Sequence, residues 1–233
     1  MMQTFHNIRL IAFDADDTLW DCQGHFDSVE RDYCDLLAPW GSGEAVSKAL
    51  FQTETDNMPL LGYGSKAFTI SLVENAIRFT RGEADGEMLL KIFALGKTLL
   101  DMPATPLEGV VDTLRKLRGK DCYKMVVFTK GDNLEQEAKF HRSGLAPLFD
   151  DCVVVADKSK REYQHLCDMF QTDISRMCMV GNSFKSDILP VLQLGGWAIH
   201  IPYALQWKME STEETDHPHL CRIDRFAQLT GIL

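Results

Sequence analysis

The sequence predicts an α/β protein: a doubly wound parallel sheet joined to a smaller helical domain. Two observations predict it. From about residue 105 onward, apolar runs of five or six residues alternate with segments of helical spacing. Between residues 21 and 104 that alternation stops, and only helical patterns are found.

The first run, Ile8 to Phe13, reads Ile-Arg-Leu-Ile-Ala-Phe and ends in three carboxylates, Asp14, Asp16 and Asp17. A buried parallel strand that delivers acids at its C-terminal end has this form. Helices are expected next at about Ser28–Leu37, Glu44–Thr55, Ser65–Thr80 and Glu87–Leu100. Met102-Pro103-Ala104-Thr105-Pro106 reads as the return linker, because the residue before a proline avoids helix. The expected organisation is therefore a core of residues 1–20 and 105–233, with a helical cap of residues 21–104 inserted after the first strand.

The core continues with a helix over Leu107–Leu117 and a strand over Lys124–Thr129. A helix over Asp132–Ser143 follows, closed by Gly144. Then come strand Cys152–Ala156, helix Ser159–Phe170, strand Met177–Gly181, helix Phe184–Leu194 and strand Trp197–Ile201. The acidic stretch Glu210–Asp216 reads as a solvated loop.

Composition narrows the function. The 233 residues are 45% hydrophobic and 25% charged, a globular balance. With 24 basic and 34 acidic residues the formal charge is −10, which disfavours nucleic acid and anionic membranes as partners. No apolar stretch is long enough to span a bilayer, and Met1–His6 lacks the features of a secretory signal. Seven cysteines without a Cys-x-x-Cys pair fit thiols in a reducing cytoplasm.

Asp14-Ala15-Asp16-Asp17-Thr18 carries the most chemistry. Two carboxylates at i and i+2 repel each other, and a divalent cation offsets that repulsion. Magnesium takes hard oxygen ligands and uses one or two carboxylates besides substrate phosphate. An Asp-rich turn that caps a helix is the other reading of these residues.

The chain resembles the haloacid dehalogenase superfamily, whose four motifs occur here in order. They are Asp14-x-Asp16-x-Thr18; Val126-Val127-Phe128-Thr129; a lysine at a helix start, Lys158 or Lys160; and Gly181-Asn182-Ser183-Phe184-Lys185-Ser186-Asp187. The resemblance covers about residues 8–20 and 105–202 and implies a Rossmann-like core with a helical cap. It also implies a magnesium-dependent phosphatase that works through an aspartyl-phosphate on Asp14. Asp16 would be the general acid and base, with its backbone carbonyl on magnesium. Thr129 and Lys158 would bind the transferring phosphoryl group, with Lys130 a further candidate. Asp14, Asp16, Asn182 and Asp187 would hold the metal; Asn182 stands where members commonly carry Asp. Gln136, Lys139 and Ser143-Gly144-Leu145 also match the helix after the second motif in one subgroup.

Other functions fit the same fold. A haloacid dehalogenase needs no proton donor for a departing halide, so Asp16 argues against it. A phosphomutase would keep all four motifs. A non-catalytic regulatory protein would not need Asp14, Asp16, Thr129 and Lys158 together. The expected partner is a small-molecule phosphate ester, in a cytoplasmic monomer or homodimer.

Overall fold

The computed structural model describes residue 5, residues 7–205 and residues 207–233. The chain forms two compact units, one of Met1–Gln23 and Ala104–Leu233, the other of Gly24–Pro103.

Six strands form one sheet: β1 (Leu10–Phe13), β2 (Lys124–Lys130), β3 (Asp151–Val155), β4 (Met177–Gly181), β5 (Trp197–His200) and β6 (Leu220–Arg222). Every pairing is parallel, in the order β3-β2-β1-β4-β5-β6. The chain runs from β1 out to β2 and β3 at one edge and then crosses to β4 on the other side of β1, so the strand order reverses beside β1. In open parallel sheets, ligands bind at the carboxyl ends of the strands at such a reversal. β6 has no counterpart among the expected strands: it is three residues long with one buried side chain, too short for a periodic signal.

Four helices lie between β1 and β2: α1 (Gln23–Leu36), α2 (Gly43–Leu61), α3 (Ser65–Phe79) and α4 (Gly86–Leu100). α2 runs six residues past the expected end because Pro59 falls in its last turn, where few ladder bonds remain to be lost. Gly62, at φ 69°, then closes it by donating to the Met58 carbonyl. Inside this unit the Asn75 amide donates to the Tyr33 hydroxyl at 2.7 Å, and Tyr33 donates to the Leu72 carbonyl at 3.0 Å.

The sheet is covered on both faces by α5 (Val110–Arg118), α6 (Asn133–Arg142), α7 (Lys160–Met169) and α8 (Leu189–Gln193), with short turns between. Alternate strand residues feed two apolar cores. Ile11, Phe13, Met125, Val127, Cys178 and Val180 face one, with Leu114 and Leu117 of α5 and Phe140 of α6. Leu10, Ala12, Val126, Phe128, Met177 and Met179 face the other, with Tyr163 and Leu166 of α7 and Val191 of α8. Burial on both faces explains why the strands read as unbroken apolar runs. The single helix expected over Phe184–Leu194 is instead a wide π-helical turn, Phe184–Ile188, followed by the short α8. Turns of this kind recur at functional sites. Among the described residues no helix is long and apolar enough to cross a membrane.

Candidate active site

Asp14 is the first residue after β1, and its amide donates to the Val180 carbonyl of β4 at 2.9 Å. That bond fixes its backbone at the strand reversal. Its side chain is buried and held by two donors. Lys158 donates to Oδ1 at 2.5 Å and Thr18 donates to Oδ2 at 2.9 Å. Thr18 sits four residues on because residues 15–20 close a helical turn on the Ala15 carbonyl.

The two candidate lysines are placed differently. Lys158 immediately precedes Ser159, the N-cap of α7, and its ammonium is buried between Asp14 and Asp187, 2.6 Å from Asp187 Oδ1. Lys160 is exposed at the first position of α7. Phe128 lies beneath the Lys158 ammonium at 5.8 Å from its ring centre.

Asp187 is delivered by the π turn. Its other oxygen accepts the Ser183 amide at 2.9 Å, so both of its oxygens are engaged. Gly181 is required at the base of this turn: a Cβ there would lie 2.3 Å from Asp187 Oδ2. Asn182 is half-buried; its Oδ1 lies 3.2 Å from the Thr18 hydroxyl, which also accepts the Asn182 amide at 3.1 Å. His200 Nε2 meets the Asn182 carbonyl at 3.0 Å.

Thr129 is buried near the C-terminal end of β2, two residues beyond Val127, the register partner of Phe13. Lys130, the last residue of β2, donates to Ser186 Oγ at 2.9 Å and pairs with Glu210. Glu210 also accepts from Ser183 and Ser186. Glu210 is therefore no part of a solvated loop, as its sequence context suggested. Burial opposes its ionisation, but the Lys130 charge outweighs it and draws the carboxyl down to about 2.

Asp16 is held by a separate set. Lys139 donates to both of its oxygens at 2.7 Å, Trp20 Nε1 to Oδ1 at 2.8 Å, and Gln136 Nε2 to Oδ2 at 2.9 Å. Lys139 and Gln136 are on the buried side of α6, while Leu134 of the same helix is 71% exposed. The sequence singled out Gln136 and Lys139 only as matching a subgroup's helix; nothing in it placed them on Asp16.

The electrostatics follow from this packing. Burial, and then the charge of Asp187, pushes Asp14 up to about 7 against the pull of Lys158. Asp17 is likewise raised to about 7 by burial, against hydrogen bonds from the Gln23 and Cys22 amides. Burial also opposes ionisation of Asp16, but Lys139, Gln136 and Trp20 win and hold it below the usual carboxylate range. Lys158 and Lys139 pay desolvation, yet their carboxylate partners raise both above the ordinary lysine value.

The donors around Asp14 suit a hard cation. One buried ammonium faces two carboxylates, so negative charge is left over. The nearby Asn182 side chain adds a neutral oxygen donor.

A family model for haloacid dehalogenase-like hydrolases matches residues 8–195. A haloacid dehalogenase-like family hydrolase from Xanthomonas campestris is 30% identical over 99% of this chain and 94% of that one, with TM-score 0.87. A predicted phosphoglycolate phosphatase from Haemophilus somnus shares the fold at 17% identity, over 97% of this chain and 98% of that one, with TM-score 0.63. The L-2-haloacid dehalogenase of Xanthobacter autotrophicus shares it at 16% identity, over 96% and 97% of the two chains, with TM-score 0.67. No curated protein matches the sequence at a significant level. A family model spanning most of the core, together with a 30% identical relative of nearly the same extent, shows that this chain belongs to the haloacid dehalogenase-like hydrolases.

Proposed function

We propose that this hydrolase is a magnesium-dependent phosphatase acting on a small phosphate ester through an aspartyl-phosphate on Asp14. The observation that carries the reading is the second carboxylate. Asp16 stands two residues from Asp14, organised by four hydrogen bonds, and a departing alkoxide gives it a proton to supply where a departing halide would not.

Asp14 attacks phosphorus with one carboxylate oxygen. The new oxygen–phosphorus bond forms as the bond to the ester oxygen breaks; Asp16, which takes up a proton when the negative charge of the phosphate enters beside it, passes that proton to the departing alkoxide. Water then attacks the phosphorus. Asp16 takes a proton from that water, the bond to Asp14 breaks, and inorganic phosphate leaves with Asp14 restored. Lys158 orients Asp14 and offsets charge on the phosphoryl oxygens. Thr18 fixes the second Asp14 oxygen, and Thr129 supplies a hydroxyl at the strand end. Asp14, the Asp16 carbonyl and the Asn182 side chain would hold magnesium, with Asp187 beside them; the ion would neutralise charge on nucleophile and phosphate when bound.

The seven cysteines are all free, which supports a reducing, cytoplasmic setting. Turnover of nitrophenyl phosphate tests the function. Chelator should abolish it, magnesium should restore it, and calcium should serve poorly because its coordination is looser. Full activity in excess chelator would defeat the proposal.

A further inference from the structure

Asp16 is bound more elaborately than a solvent-facing acid requires. Its two oxygens accept four hydrogen bonds, one each from Trp20 and Gln136 and two from Lys139. The Lys139 side chain is 2% exposed, whereas that of Asp16 is 26% exposed. The Asp16 side chain therefore keeps some access to solvent, and the Lys139 side chain behind it has almost none. A buried lysine paired in this way is a poor source of stability, since an apolar residue of similar volume commonly does as well. What the pair does supply is a fixed orientation. The Gln136 amide donates to the Lys130 carbonyl at 2.8 Å as well as to Asp16, which ties the clamp to the end of β2.

We propose that Lys139, with Gln136 and Trp20, is the positioning clamp of the acid/base residue Asp16: it fixes the carboxylate without touching substrate. This rests on the phosphatase reading, in which Asp16 protonates the leaving group. Misplacing a reacting group by about 1 Å can cost on the order of 10²-fold. Loss of the clamp should therefore reproduce part of the loss of Asp16 itself.

The test is rapid-quench measurement of enzyme-bound phosphate in magnesium, with an alkyl phosphate and with nitrophenyl phosphate. Lys139→Met should slow phosphorylation by the alkyl ester about 10- to 100-fold. It should slow the reaction of the nitrophenyl ester far less and leave KM for both unchanged. Lys139→Arg should recover part of the lost rate. Added to Asp16→Asn, Lys139→Met should cause no further loss, because the two act as one unit. Equal losses on both esters, no loss, or full additivity in the Asp16→Asn background would overturn the clamp. Should Lys139→Met not fold, Trp20→Phe keeps an aromatic ring, removes only the indole donor, and is judged by the same ratio between esters. If the wild-type protein forms no adduct with either ester, the phosphatase reading falls and the clamp falls with it.

Discussion

Replacing Asp14, the proposed nucleophile, should make the metal-free protein more stable. Burial, and then the charge of Asp187, pushes Asp14 up to about 7 in the folded chain, against 3.8 for an unperturbed aspartate. Below about pH 4 it is protonated in both states and contributes nothing. Between about pH 4 and 7 the unfolded chain has released the proton and the folded chain retains it, so stability falls as pH rises. Above about 7 the full penalty is present: some three pH units at 1.36 kcal/mol each, about 4 kcal/mol. Asp14→Asn removes the charge and keeps the shape. The amide oxygen can still accept from Lys158, and the amide nitrogen can donate to Thr18, whose proton then turns to Asn182 Oδ1. No buried polar group is orphaned. Urea unfolding in chelator should show Asp14→Asn more stable by up to about 4 kcal/mol near pH 8, with the gap closing near pH 4. Asp17 is raised in the same direction chiefly by burial, which both proteins share; the smaller part due to the Asp14 charge is relieved in the variant, which adds to the gap. Added magnesium should narrow the gap by stabilising the wild type more. A variant less stable than wild type near pH 8, or a gap that does not depend on pH, would refute the reasoning.

Lys158→Met leaves two buried carboxylates without their cation and should cost about 3–5 kcal/mol in urea unfolding, more as pH rises, whereas exposed Lys160→Met should stay within about 0.5 kcal/mol. In quench-flow with nitrophenyl phosphate, Asp14→Asn should yield no adduct, while Asp16→Asn should accumulate one because its breakdown lacks a base. Gly181→Ala places a methyl against the Asp187 carboxylate; it should cost about 1–3 kcal/mol and weaken magnesium binding in a calorimetric titration. In the same titration Asp187→Ala should weaken magnesium more than Asn182→Ala, because it removes a full charge; the reverse order would exchange their roles.

The core strands were legible because each is buried on both faces, and burial writes itself as an apolar run. Asp14 was legible because three acids crowded at a strand end repel one another and call for a cation to offset them. Lys158 and Lys160 are alike in sequence; only the turn before α7 aims one at Asp14 and leaves the other in solvent. Lys139 was illegible as a buried group because its partner, Asp16, is 123 residues away and α6 turns its polar side inward. Glu210 was masked by the acidic residues that follow it, though its own carboxylate is engaged by Lys130, Ser183 and Ser186. The π turn left no trace because its sequence, Phe-Lys-Ser-Asp-Ile, suits an ordinary helix.

The central place of β1 has a consequence for how the chain assembles. Leu10 pairs with Lys124 on one side and Met177 on the other, so the strand that leads to Asp14 leaves the ribosome before either of its neighbours and is completed late. At roughly 5–20 residues per second, its first neighbour follows after about 6–23 s and its second later still. Throughout that interval Leu10-Ile-Ala-Phe13 has both edges open. The helical unit of Gly24–Pro103 is continuous in sequence and can form its own contacts meanwhile. Nascent-chain aggregation should therefore centre on Leu10–Phe13, and a chaperone that covers this strand should act before residue 124 is made.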